Sequence, residues 1–252
     1  MRFHLFVAAS MIATAPVMAA EADSARHDSR AATYCLYEID RLPGLPAGDI
    51  AVEVTGINKR DEVSGWISAQ DGSPFRAFLW ERGRGTRDLG TVPGHASMTT
   101  AAMNDAGTIV GTATDFDSGE SLAFAWTPRR GMRSLDTSLG GVNSFVTSIN
   151  RAGQVVGGST TANGETHAFF RDVDGEVTDL GTFPDGSGFS GATAMNDRGQ
   201  VIGTRSNAEE DDVFVWDARH GIQSLSPQFG SVRKPPFSCC TACNAPITAE
   251  RW

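Results

Sequence analysis

The chain has 252 residues, a formal net charge of −9 and 40% apolar residues. That acidity repels nucleic acid and anionic lipid, so neither is an expected partner. Beyond the N-terminal segment, no run of about 18 apolar residues is present to span a bilayer.

Residues 1–19 read as a signal peptide. Arg2 supplies the positive start, Leu5 to Ala15 is a short apolar stretch, and Val17-Met18-Ala19 suits cleavage after Ala19. An uncleaved anchor is the alternative. The expected product is secreted or periplasmic, with no membrane insertion after cleavage. Residues 20–33 are expected to be a flexible segment, residues 34–232 a β-repeat domain, and residues 233–252 an atypical tail.

The repeat domain is announced by a fixed period. Asn58, Asn104, Asn150 and Asn196 stand 46 residues apart, each followed seven residues later by Gly65, Gly111, Gly157 or Gly203. The tetrad Asn104-Asp105-Ala106-Gly107 fits a type I turn whose last residue takes positive φ. It recurs at Asn150 to Gly153 and Asn196 to Gly199. The first copy ends in Asp61, which tolerates left-handed geometry better than most residues. A strand follows each turn, Thr108 to Thr114 in the second copy. Its central glycine implies close approach of a neighbour.

After a variable polar loop comes an aromatic strand. Ala77-Phe78-Leu79-Trp80, Ala123-Phe124-Ala125-Trp126 and Val213-Phe214-Val215-Trp216 alternate as a half-buried strand requires, and the third copy has Arg171 in place of tryptophan. A short turn leads to a last strand expected to centre on Leu89, Leu135, Leu180 or Leu225. Four strands in about 46 residues is the size of one propeller blade. The expected fold is all-β: a β-propeller-like array of four such repeats, with a partial fifth blade if the ends combine. Another β-repeat and a sandwich are the alternatives.

The units resemble those of secreted bacterial proteins with HAF-type repeats. The motifs that carry the resemblance are Ile149-Asn150-Arg151-Ala152-Gly153-Gln154-Val155-Val156-Gly157, His167-Ala168-Phe169 and Asp179-Leu180-Gly181, with Asp88-Leu89-Gly90 as a second copy of the last. The resemblance covers roughly Val54 to Ser231 and implies an exported β-propeller-like protein without a defined activity. The histidine of the motif occurs once, at His167. Arg76, Leu122 and Asp212 hold its place elsewhere, so a structural role is expected there.

The ends are read less regularly. Tyr34 to Leu42 resembles the last strand of a unit, and Ser238 to Asn244 a degraded first strand. Either the two complete a partial blade or the chain is a truncated relative of a longer protein. Lys234-Pro235-Pro236 interrupts strand formation and favours the second. Cys35, Cys239, Cys240 and Cys243 lie at the two ends, so an end-to-end disulfide is expected, with free thiols and metal or redox chemistry as alternatives.

No nucleophile elbow, zinc-protease helix, phosphate loop or dinucleotide fingerprint is present. The expected function is a binding or scaffold module for a protein or carbohydrate. A hydrolase or lyase using loop carboxylates is the competing possibility. The expected ligand face is the acidic loop end, with His95, Asp115, Asp117, Glu120, Glu165, Asp211 and Asp212. No cofactor is expected, with calcium as the alternative. The fragments Asp115 to Glu120 and Asp172 to Glu176 resemble calcium loops but lack the six to eight oxygens calcium takes.

Overall fold

A computed structural model describes residues 49–69, 72–184, 186, 188–225 and 232–233. The signal segment, the four cysteines and the two candidate end strands lie outside the described residues, and with them the disulfide and the partial fifth blade.

Each 46-residue unit folds as one antiparallel four-stranded sheet in sequence order. The first holds β1 (Asp49–Ile57), β2 (Val63–Ala69), β3 (Arg76–Glu81) and β4 (Gly85–Asp88). The second holds β5 (Ser97–Met103), β6 (Ile109–Thr114), β7 (Ser121–Thr127) and β8 (Gly131–Ser134). The third holds β9 (Gly140–Ile149), β10 (Val155–Thr161), β11 (Thr166–Arg171) and β12 (Val177–Gly181). The fourth holds β13 (Phe189–Met195), β14 (Val201–Ser206), β15 (Glu210–Asp217) and β16 (Gly221–Ser224), and the two-residue β17 (Val232–Arg233) pairs with the start of β15. The fold is thus all-β and propeller-like, with four blades among the described residues.

The repeated asparagine builds the first turn of every blade. The Asn104 side-chain oxygen accepts from the backbone N–H groups of Ala106 and Thr108 at 3.1 and 3.0 Å. Asn58 and Asn196 make the equivalent pairs of bonds, and Asn150 accepts from Gly153 and Gln154. An asparagine that satisfies two backbone donors replaces hydrogen bonds the turn cannot make itself. The turn then needs positive φ. Gly107 supplies it at 78°, and Asp61 takes 59° in the first copy, so aspartate does hold the glycine's place.

The strand glycine is equally determined. A Cβ added to Gly111 would run into the carbonyl oxygen of Thr99 and lie 2.7 Å from the Phe124 ring. Phe124 is fully buried and fills the space the missing side chain leaves. The leucine of the last strand is placed differently from expectation. Leu89, Leu135 and Leu225 follow their strands instead of centring them, each donating its N–H to the third strand of its blade, and only Leu180 lies within its strand. In the Asp-Leu-Gly motif the aspartate has its own reason. Asp88 accepts from the Gly90 N–H at 2.8 Å, and Asp179 from the Gly181 N–H at 2.7 Å.

Blades pack face to face through three apolar junctions. Ala77, Leu79 and Leu89 of the first meet Met98, Ile109, Phe124 and Trp126 of the second. Val110, Ala123 and Ala125 meet Val146, Ile149, Val155 and Phe169 of the third. Val156, Ala168 and Phe170 meet Val201, Phe214 and Trp216 of the fourth. Burying one such large side chain contributes about 2 kcal/mol. Because side chains alternate across a strand, each blade offers one face backward and one forward.

Polar ties cross the same junctions. The Asn104 amide donates to the Asn150 carbonyl at 3.1 Å, and the Asn150 amide to the Asn196 carbonyl at 3.3 Å. Buried serines repeat too. Ser97 accepts from the Phe75 N–H, Ser144 from the Ala123 N–H and Ser190 from the Ala168 N–H, each reaching the preceding blade. Where arginine replaces tryptophan, Arg171 donates to the Asp136 carbonyl of the second blade at 3.1 Å.

Candidate functional site

Antiparallel order within each blade puts two kinds of connection at one end: the loop between second and third strands, and the link to the next blade. Loops tolerate variation while the sheets hold their ends in place, which makes this end the natural ligand face. Between the first and second blades it carries a row of aromatic rings. Trp66, on β2, lies 4.8 Å from Phe75, and Phe75 meets Phe116 edge-on at 6.1 Å. Phe75 is fixed from the next blade: its carbonyl accepts from the Met98 N–H at 2.8 Å and its N–H donates to Ser97. Phe116 tops the row and is 66% exposed.

Phe116 rides on a loop whose shape comes from Asp115. One carboxylate oxygen accepts from the Asp117 N–H at 3.0 Å, and the other from the Ser118 hydroxyl at 2.8 Å. The Asp115 backbone pairs with Gly119 and Glu120 across the loop. These bonds, the Ser118 hydroxyl foremost, hold the Asp115 carboxyl below its ordinary range, and the His95 charge adds to the effect. His95 is half-buried in the link between the blades, its Nδ1 3.4 Å from the Pro93 carbonyl. Asp117 and Glu120 are exposed on the same loop as Asp115.

The other expected site residues belong elsewhere. Glu165 stands in the third blade, 3.8 Å from His167 Nε2. His167 pairs through Nδ1 with Asp179 at 2.9 Å, tying β11 to β12. That contact gives the motif histidine a structural task. Asp211 and Asp212 are not loop residues, because both lie within β15. Asp212 is buried, pairs with Arg205 at 2.7 Å and accepts from the Ser224 hydroxyl at 2.7 Å. Its carboxylate faces the preceding blade, where Arg205 also donates to the Thr182 carbonyl and lies over the Phe183 ring. The expectation that Asp212 meets a ligand is corrected on that ground: its charge is neutralised inside the fold.

Among the described residues, no group of three His, Cys, Asp or Glu side chains converges as a metal centre. The calcium-like fragments are turns. Asp172 accepts from the N–H groups of Asp174, Gly175 and Glu176, as Asp115 does from its own loop. A cavity of about 110 Å³ lies beside the second and third blades, lined in part by Asp136, Thr137, Asn143 and Ser144. The Thr137 hydroxyl is buried there without a hydrogen-bond partner. Such a polar cavity suits ordered water.

The aromatic row escaped sequence reasoning because its members are not repeat residues. Trp66, Phe75 and Phe116 sit at positions filled in the second repeat by Thr112, Ser121 and in the third by Ala162. That departure was the available signal: a large aromatic at a position that the repeat does not demand.

No family model matches the chain, and no curated protein matches it. Among solved structures it is similar to the crystal structure of TolB from Acinetobacter baumannii, with a TM-score of 0.49 and 12% identity. The similarity covers 69% of this chain and 43% of that chain, less than half its length.

Proposed function

We propose that the protein is an exported HAF-type repeat module that binds rather than catalyses. Its ligand face is the loop end between the first and second blades. The observation that carries this reading is Phe116. It is a large apolar ring held out to solvent, braced by Phe75 and Trp66 and flanked along its loop by Asp115 and Asp117. A braced aromatic loses little conformational entropy on binding and offers broad contact area. The flanking carboxylates accept hydrogen bonds. The matching ligand offers an apolar face edged with hydroxyl or N–H donors, a chemistry that sugars and protein segments share.

The test is a binding screen of polysaccharides and envelope proteins, with Phe116→Ala and Asp117→Asn as paired variants. A polysaccharide or a protein retained by the parent and lost with both variants supports the reading and identifies the ligand class. Binding that both variants leave intact moves the ligand face elsewhere. Turnover of a retained polysaccharide would replace the binding reading with the hydrolase or lyase one.

A further inference from the structure

The three internal junctions show which surfaces this repeat buries, and the same surfaces lie bare at both ends of the row of blades. On the forward face of the fourth blade, Ile202 is 48% exposed and Val213 47%. Their counterparts Val110 and Val156, and Ala77, Ala123 and Ala168, are fully buried. Asn196 is exposed, whereas Asn58, Asn104 and Asn150 are buried. On the backward face of the first blade, Val54 is 49% exposed and Ile57 69%. Thr100, Val146 and Ala192 hold the place of Val54 at the internal junctions and are buried. Among the described residues, no sheet packs across either face.

Charge completes the match. The residue after each repeat asparagine alternates in sign: Lys59, Asp105, Arg151, Asp197. Lys59 pairs with Asp105 at 2.9 Å, Asp105 lies 3.9 Å from Arg151, and Arg151 pairs with Asp197 at 3.0 Å. An inner member of this line has an opposite charge on each side. The outer members, Lys59 and Asp197, have one each. A fourth blade followed by another first blade would set Asp197 before Lys59, the same order as Asp105 before Arg151. Asn196 would then stand to Asn58 as Asn104 stands to Asn150.

We infer that the forward face of the fourth blade is a docking surface for a second copy of this chain, which presents the backward face of its first blade. The contact is head-to-tail, so it repeats until the row closes on itself or grows open-ended. Two copies would bring together eight blades of described residues, within the usual range of about four to eight, and the sign alternation continues across the new junction because Asp197 meets Lys59.

Sedimentation of the purified protein across a concentration series tests this, using Ile202→Asp and Val54→Asp. Both positions are exposed, so circular dichroism should show both variants folded like the parent. The parent is expected to associate, and each variant alone to associate at least about tenfold more weakly. An equimolar mixture of the two is expected to recover a two-chain species and nothing larger, since one sound junction remains. Asp197→Lys should weaken association about tenfold. A parent that stays monomeric at every concentration overturns the inference, as does a variant that associates like the parent or a mixture that recovers no two-chain species.

Discussion

Val110 and Ile202 occupy the same place in two copies of one repeat. The first is sealed between blades and the second stands half bare. Both follow an equivalent turn, precede an equivalent glycine and pair with an equivalent third strand. The local instructions are the same, so the difference comes wholly from what packs outside the blade. An apolar residue in a repeat marks a surface meant to be covered. Whether it is covered depends on the presence of a neighbour.

The comparison can be broken most severely by putting charge at both places. Val110→Asp should cost about 4 kcal/mol or more, because it strands a carboxylate in a closed junction. Ile202→Asp should stay within about 0.5 kcal/mol in the isolated chain. Chemical denaturation of the two variants checks this, and equal losses would show that the fourth blade's face is covered after all. Next in size is Arg205→Met, which leaves Asp212 buried without its partner. A loss of about 3–5 kcal/mol is expected. The double change Arg205→Met with Asp212→Leu should recover most of it.

Asn150→Ala removes two turn bonds and a tie to the next blade, so about 2 kcal/mol is expected. Asn196→Ala removes equivalent turn bonds at an exposed site and should cost about 1 kcal/mol or less. Equal losses would mean that the tie across the junction contributes nothing. The smallest effect is in pH. The Glu62 carboxyl is held below its ordinary 4.5, first by Arg60 and then by the Asn58 amide. A carboxyl with a lowered folded pKa stabilises the fold above its unfolded value, and that stabilisation is lost as pH falls through the folded value. The melting temperature should therefore fall on acidification below about pH 4.5, and less steeply in Glu62→Gln. Added millimolar calcium should leave the melt unchanged, because among the described residues no three acidic or histidine side chains converge to supply the oxygens calcium takes.

Much of the fold was legible because each repeated residue performs a local task. Asn104 and Gly107 define a turn, Gly111 admits the Phe124 ring, and the alternation around Trp126 defines a two-sided strand. These depend on residues a few positions apart or on adjacent strands, so spacing reveals them. The leucine of the last strand was misplaced because in three blades the paired strand stops one residue before it, while its N–H still bonds to the third strand, and its sequence spacing is unaffected. The candidate site was less legible. Its acidic loop at Asp115 was evident, but the aromatic row needed Trp66 of one strand, Phe75 of the following loop and Phe116 of another blade to meet. Asp212 looked like one more loop acid. Only the fold sets it opposite Arg205, seven residues away across β14 and β15.

By itself the sequence determined the unit: its length, its four strands, its turns and the two apolar faces it carries. Periodic hydrogen-bonding and steric needs recur wherever the local chain recurs. The tertiary structure decided which acids are neutralised inside, which rings gather at the loop end, and which faces are left bare. Those outcomes depend on residues brought together from separate blades, and burial is a property of the neighbour as much as of the side chain.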